Sequence, residues 1–226
     1  MKVYVMVGAP GAGKGTQAAI LAEQLGMRHL ASGDLFREAV REGTPVGLEA
    51  KRYMDRGALV PDPVVIAMIE ERLDRQDAAA GVILDGFPRT RPQAEALDVA
   101  LARREAQVDA ALYVGVPEDE LVRRLSGRWV CRASGHPYHV VSKPPLVTGI
   151  CDIDGSELYQ REDDRPETVR ARLEQQLAPM YDVIDHYTEL GVLVAVDGTQ
   201  PIAAVTEALL RAIAHPARPA GRSEAA

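Results

Sequence analysis

The densest chemistry in the chain lies at residues 8–16, where Gly8-Ala9-Pro10-Gly11-Ala12-Gly13-Lys14-Gly15-Thr16 follows a short β-branched run and opens a helical pattern. Glycines at this density permit backbone conformations that side chains forbid, so successive N–H groups can turn inward around phosphate oxygens. The N-terminus of the following helix adds a partial positive charge. Lys14 supplies a mobile cation for β- and γ-phosphates, and Thr16 offers a hydroxyl near Mg²⁺. The strict phosphate-loop pattern wants Ser or Thr directly after the lysine; here Gly15 intervenes. The strand before it and the helix after it favour a phosphate cradle over a Gly-rich turn that happens to hold a lysine.

A second cluster follows at residues 82–93. Val82–Asp85 (VILD) delivers Asp85 at the carboxyl end of a strand, where open α/β sheets bind ligands, and a carboxylate there can hold Mg²⁺ through its waters. Gly86-Phe87-Pro88-Arg89 reads as a sharp turn presenting an always-charged, fork-shaped donor. Standing alone, the segment also fits a helix cap at Asp85 and a solvent-facing Arg89. A third group is Cys131-x-x-Ser134 followed by Cys151-x-x-Asp154, the two-knuckle spacing of a structural zinc site with one position altered.

The first two clusters sit where an apolar run gives way to turn residues. Lys2–Val7 (KVYVMV) reads as a buried strand ended by Gly8; similar runs recur at Val82–Asp85, Ala111–Val116 and Val192–Val196, with a weaker one at Arg28–Ala31. Helical patterns lie between them, and strands alternating with helices predict a doubly wound α/β fold with a parallel sheet. Thr44-Pro45 opens one helix and Gly57 stops it, while Asp62-Pro63 opens the next. Pro117-Glu118-Asp119-Glu120 puts acids at a helix N-terminus, and Asp164-Arg165-Pro166-Glu167 starts a long amphipathic helix. Two stretches fit the alternation poorly. Gly33–Val60 is a helical insert; Gly127–Asp164 is rich in Gly, Pro, His and Asp, lacks a helical period, and reads as a lid. Residues 215–226 have tail composition and no assigned role.

Composition narrows the function. The chain has 226 residues and a net charge of −7, and 46% of it is hydrophobic, so it can bury one large core with small inserts. The acidic balance argues against a broad nucleic-acid-binding surface. No apolar run reaches the roughly 20 residues needed to cross a bilayer, and the N-terminus lacks the pattern of a secretory signal. Two cysteines are too few for a disulfide scaffold, so a reducing cytoplasm is expected.

The ordered set GAPGAGKGT, SGDLFR at Ser32–Arg37, DGFPRT at Asp85–Thr90 with Gln93, and the later arginines resembles adenylate kinase in its long-lid form, from Gly8 to about Gly198. The resemblance implies a P-loop NTPase-type five-stranded parallel sheet flanked by helices. Its core would comprise 1–30, 61–126 and 165–214, with a monophosphate-binding insert at 31–60, an irregular or β lid at 127–164, and the tail at 215–226. It implies a monomer that transfers the ATP γ-phosphoryl group to AMP with Mg²⁺, giving two ADP. A UMP- or CMP-type kinase and a non-catalytic nucleotide-binding module are the rival readings.

Residue roles follow from that resemblance. Gly11, Ala12, Gly13, Lys14, Gly15 and Thr16 would cradle ATP, with Arg128, Pro137, Tyr138 and Gln200; an ordinary packing role suits Tyr138 as well. Ser32, Arg37, Ala58, Leu59, Val60, Gly86, Phe87, Pro88, Arg89 and Gln93 would bind AMP with Arg161 and Arg172. Arg37 and Arg89 would hold its phosphate, which suits bidentate guanidinium donors. Ser32 stands where family members usually have Thr and pyrimidine-specific relatives tend to have Ala, so Ser32 and Gln93 favour AMP. Lys14, Asp85, Arg89, Arg124, Arg128, Arg161 and Arg172 would form the transfer machinery, while Arg123 is left as surface. Asp163 and Asp164 match an acidic pair near the lid hinge, with helix capping before Pro166 an equal alternative.

Some family members fill the four knuckle positions with three or four cysteines and bind zinc, and others use polar residues. Ser is a poor zinc ligand, so the mixed set Cys131, Ser134, Cys151, Asp154 favours a metal-free polar staple with free thiols. Zinc at Cys131, Cys151 and Asp154, with His136 or His139 substituting for Ser134, is the second reading. A disulfide is the third, opposed by the compartment.

Overall fold

Val3–Val7 forms strand β1 with every residue buried, as expected of an apolar run flanked by partners on both sides. The computed structural model describes residues 1–75, 78, 80–141 and 143–214, and the tail at 215–226 lies outside the described residues. Beside β1 lie β2 (Arg28–Ala31), β3 (Val82–Asp85), β4 (Ala110–Gly115) and, at the far edge, a strand at Leu193–Asp197. They form one parallel sheet in the order β2-β3-β1-β4 and then the Leu193–Asp197 strand, as the alternation predicts. That last strand starts one residue later than the apolar run suggests.

Register places the chemistry. Met6 of β1 and Ala31 of β2 both pair with Asp85 of β3, so three strands end side by side. The Gly8–Thr16 loop, Ser32 and the Asp85–Arg89 turn therefore emerge together at one carboxyl edge.

Helices α1 (Lys14–Leu25), α4 (Asp62–Leu73), α5 (Arg91–Ala102), α6 (Glu118–Ser126), α7 (Pro166–Glu189) and α8 (Ile202–Ala214) pack around the sheet. The insert after β2 is a helix pair, α2 (Ser32–Arg41) and α3 (Pro45–Met54). Thr44 caps α3 by accepting a hydrogen bond from Gly47 N at 3.1 Å. A Cβ at Gly47 would run into the Ala39 backbone, so glycine there lets the two helices cross in contact.

The segment without helical period is a small antiparallel sheet. It contains β5 (Arg128–Cys131), β6 (Pro137–His139) and β7 (Leu158–Tyr159), with β5 in the middle. Cys131, Tyr138, Cys151 and Leu158 form its own core, separate from the main one. The strand at Leu193–Asp197 is β8. No helix among the described residues is long and apolar enough to cross a membrane.

Candidate active site

Gly11 and Gly13 take φ of 85° and 96°, left-handed values that turn the chain into the N-terminus of α1. Lys14 Nζ folds back to donate to Ala9 O at 2.9 Å. Burial pushes the Lys14 ammonium down to about 7, nearby Arg89, Arg172 and Arg128 add to the effect, and Asp85 opposes it. Burial would raise the Asp85 carboxyl, but His29 and Lys14 hold it below its ordinary range. His29 Nε2 lies 3.4 Å from Asp85 Oδ2. Asp85 therefore faces the loop as an anion, the state a hydrated Mg²⁺ requires.

The arginines divide into a central group and one outlier. Arg89 donates through Nε to Gly86 O at 2.7 Å and through Nη1 to Gln176 Oε1 at 3.1 Å. Arg172 Nη1 lies 2.8 Å from Asp163 Oδ2 and 3.3 Å from Asp164 Oδ1. Arg128 Nε donates to Asp164 Oδ2 at 2.6 Å, with a second bond from Nη2 to Oδ1. Arg161 Nε is buried without a hydrogen-bond partner among the described residues. Burial pushes Arg161 and Arg172 down to about 10, and Arg128 deepens both shifts. Lys14, Arg89, Arg128, Arg161 and Arg172 outnumber the carboxylates among them, Asp85, Asp163 and Asp164, while Arg37 at the edge is paired with Asp34. Such an excess in a buried place suits a polyanion.

Arg124 stands apart from that group. It is held by Glu120 Oε1 at 2.7 Å and by Gly198 O at 3.0 Å. Gln200, beside the same turn, donates to Asp197 Oδ2 at 2.8 Å. Arg123 is an exposed partner of Glu120, as expected of surface. Asp163 and Asp164 pair with arginines, and neither side chain caps the helical turn or α7.

A cleft between the α2–α3 insert and the sheet edge is lined by Ser32, Arg37, Ala58, Leu59, Val60, Gly86, Arg89, Gln93 and Arg172, together with Phe36, Met54, Val65 and Gln176. Ser32 Oγ donates to Gly86 O at 2.6 Å, the same carbonyl that receives Arg89 Nε. A second cleft, continuous with Lys14 and Pro10, includes Pro88. The Phe87 ring does not line either cleft: it is an apolar group 1% exposed in the main core, so only its backbone is left for a ligand.

Tyr138 likewise points into the lid core. Its hydroxyl donates to Cys151 Sγ and accepts from Asp152 N at 2.7 Å, and burial leaves only 3% of the residue exposed. The packing role is the one its side chain plays, and Pro137 beside it is exposed. Sequence reasoning missed Gln176, which was detectable as the i+4 neighbour of Arg172 on one face of α7. It also missed His29 and Asp62, for which no motif gave a signal.

In the lid, one ligand atom each from Cys131, His136, Cys151 and Asp154 lies within 4.8 Å of every other. His136 Nδ1 is 3.4 Å from Cys151 Sγ and 3.4 Å from Asp154 Oδ2, and Cys131 Sγ is 3.0 Å from Asp154 Oδ2. Ser134 contributes its backbone N–H to Cys131 Sγ at 3.3 Å. His139 belongs to the other side of the lid, where its ring covers Gly127.

The family model for adenylate kinase matches residues 6–192. The adenylate kinase of Exiguobacterium sibiricum is 52% identical over 198 residues, covering 88% of this chain and 92% of that protein. That of Carboxydothermus hydrogenoformans is 50% identical over 213 residues, 94% and 99% of the two chains. That of Staphylococcus aureus strain Mu50 is 47% identical over 211 residues, 93% and 98%. The family model over residues 6–192 and relatives at this identity show that the chain belongs to the adenylate kinase family.

Proposed function

We propose that this chain is an ATP:AMP phosphotransferase, reversibly moving the ATP γ-phosphoryl group to AMP and giving two ADP. The observation that carries the reading is the convergence of Lys14, Arg89, Arg128, Arg161 and Arg172 beside the two clefts, where cations outnumber carboxylates and Arg161 Nε has no hydrogen-bond partner among the described residues. AMP fits the cleft lined by Ser32, Val60 and Gln93, with Arg37 and Arg89 on its phosphate. ATP fits the phosphate-loop side, with Arg124 and Gln200 beside the turn at residues 197–200.

No protein base is needed. The AMP phosphate is mostly dianionic at neutral pH, because a phosphate monoester has its second pKa at about 6. Its oxygen attacks the γ-phosphorus in line, and the bond to the ADP oxygen breaks. Lys14 and the arginines balance the charge on the transferred group, and the segments at 31–60 and 127–164 close to exclude water. Asp85 and Thr16 would hold Mg²⁺ through its waters, and the ion would neutralise β- and γ-oxygens. As the resemblance implies, the chain acts as a cytoplasmic monomer.

The test is ADP production from ATP with AMP, and with UMP or CMP in its place. AMP should be strongly preferred, and Lys14→Ala and Arg89→Ala should each lose at least about a hundredfold. Comparable rates with UMP or CMP would overturn the AMP assignment, and no ADP at all would favour the non-catalytic module.

The lid donors support a structural zinc site at Cys131, His136, Cys151 and Asp154. Zn–N and Zn–O bonds of about 2.0–2.1 Å and Zn–S of about 2.3 Å imply tetrahedral edges of about 3.3–3.8 Å. His136 Nδ1 stands 3.4 Å from Cys151 Sγ and from Asp154 Oδ2, and all four donors lie within 4.8 Å of one another. His136 takes the place that Ser134 could not fill. The ion would crosslink the β5–β6 turn to the Cys151–Asp154 turn, with no part in the chemistry. Purified protein should carry about one zinc per chain, and His136→Ala should lose it while Ser134→Ala should not. Protein purified without zinc, whose lid resists proteolysis equally well before and after zinc is added, would restore the polar staple.

A further inference from the structure

The Gln93 carboxamide lines the base cleft with both ends already engaged. Its Oε1 accepts from Arg89 N at 2.8 Å, and its Nε2 donates to Asp62 Oδ1 at 2.7 Å. The other Asp62 oxygen accepts from Thr90 Oγ1 at 2.9 Å, and Thr90 Oγ1 in turn accepts from Gln93 N at 3.3 Å. A backbone N–H can only donate and an ionised carboxylate can only accept, so the amide has a single consistent orientation. Flipping it would set N–H against N–H and oxygen against oxygen.

Each end keeps one free valence: a second lone pair on Oε1 and a second hydrogen on Nε2. An acceptor beside a donor, in that fixed order, matches adenine, whose 6-amino group donates while the adjacent ring nitrogen accepts. A 6-oxopurine reverses the pattern at position 6. We propose that Asp62 is a specificity-determining positioning residue: from outside the cleft it locks Gln93 in the order that admits adenine and rejects 6-oxopurine monophosphates. The proposal rests on the reading that this cleft takes AMP. Leaving buried polar atoms mispaired is what gives such sites their discrimination.

The experiment compares kcat and KM for AMP and for inosine 5′-monophosphate in the wild type, Asp62→Ala, Asp62→Asn and Asp62→Ser. Asp62 also opens α4, so a purely structural role must be separable. Asp62→Ser keeps a hydroxyl for the helix start but is too short to reach Gln93. In Asp62→Ala and Asp62→Ser, KM for AMP should rise about tenfold with kcat and KM for ATP little changed, and the AMP-to-IMP ratio of kcat/KM should shrink about tenfold. Asp62→Asn, which still offers an oxygen to Gln93 Nε2, should stay within about threefold of the wild type. A lowered melting temperature with the ratio unmoved in both Asp62→Ala and Asp62→Ser would overturn the proposal. A wild type that does not phosphorylate AMP would instead sink the reading of the cleft itself.

Discussion

Arg128 and Asp164 close the base of the small antiparallel sheet on itself. Arg128 is the first residue of β5 and Asp164 lies just before α7, and the guanidinium grips the carboxylate at two points, Nε to Oδ2 at 2.6 Å and Nη2 to Oδ1. Gln160 adds a third tie, donating to Ser126 O at 3.0 Å and Asp164 O at 3.3 Å. The two strands of chain that enter and leave the small antiparallel sheet are therefore clamped together at its base.

Asp164 is fully buried and serves two arginines, Arg128 and Arg172. Its removal takes from Arg128 the carboxylate that grips it at two points and leaves Arg172 with Asp163, whereas removal of Arg128 still leaves Asp164 its contact with Arg172. Asp164→Ala should therefore cost about 3–5 kcal/mol of stability and Arg128→Ala clearly less. Urea unfolding of the two variants checks the order, and equal losses would contradict it.

Lys14 gives the site a proton-linked signature. Burial first, and then Arg89, Arg172 and Arg128, bring its ammonium down to about 7, so in free enzyme at pH 8 it is mostly neutral. A polyphosphate beside Nζ favours the charged form and raises the pKa, so binding ATP takes up close to one proton at pH 8. Little uptake remains at pH 6, where the lysine is already charged. Affinity should accordingly fall with rising pH above 7, by up to about tenfold per unit. Calorimetry in buffers of differing ionisation enthalpy reads the uptake directly, and Lys14→Met should abolish it.

Gly57 touches the other end of the cluster. It has φ of 71°, and an added Cβ would lie 2.9 Å from Arg172 Cβ. Its carbonyl also receives Gln176 Nε2 at 2.8 Å. Gly57→Ala should cost about 1–2 kcal/mol from the left-handed backbone alone. By shifting Arg172 and Gln176 it should also lower kcat/KM for AMP by more than about tenfold, since small misplacements are expensive in transfer reactions. Gly43→Ala is the control: φ is 70° with nothing within 4 Å of the added Cβ, so stability should fall and activity should not.

The phosphate loop, the parallel sheet and the Asp85–Arg89 turn were legible because each rests on local chemistry: apolar β-branched runs, glycines before a lysine, a charged residue at a strand end. What escaped was the choice among partners. Asp163 and Asp164 could cap a helix or pair with arginines, and the sequence contains residues for both; only the tertiary fold brings Arg128 and Arg172 to them. His136 replaces Ser134 at the lid cluster because the turn after β5 carries it there, which spacing alone left undecided against His139. Tyr138 and Phe87 are amphipathic or apolar groups on motif segments, and burial claimed both side chains.

Gly15 is where the loop departs from the strict phosphate-loop pattern, and the structure supplies a physical reason. A Cβ at residue 15 would lie 3.1 Å from Asp85 Oδ2. Asp85 cannot easily retreat, because β3 is paired on both sides and its residue 85 is in register with Met6 and Ala31. A serine at 15 would therefore push either the carboxylate or the loop out of line, and in the proposed reaction both would hold the same Mg²⁺–phosphate unit. Gly15→Ser should lower kcat by about a hundredfold and raise the Mg²⁺ concentration needed for half-maximal activity, with Gly15→Ala falling between it and the wild type. Because the clash is with the carboxylate, Gly15→Ser combined with Asp85→Ala should be far less than additive, the coupling expected of residues in direct contact. Full additivity in that double-mutant cycle would mean that the glycine answers to some constraint other than Asp85.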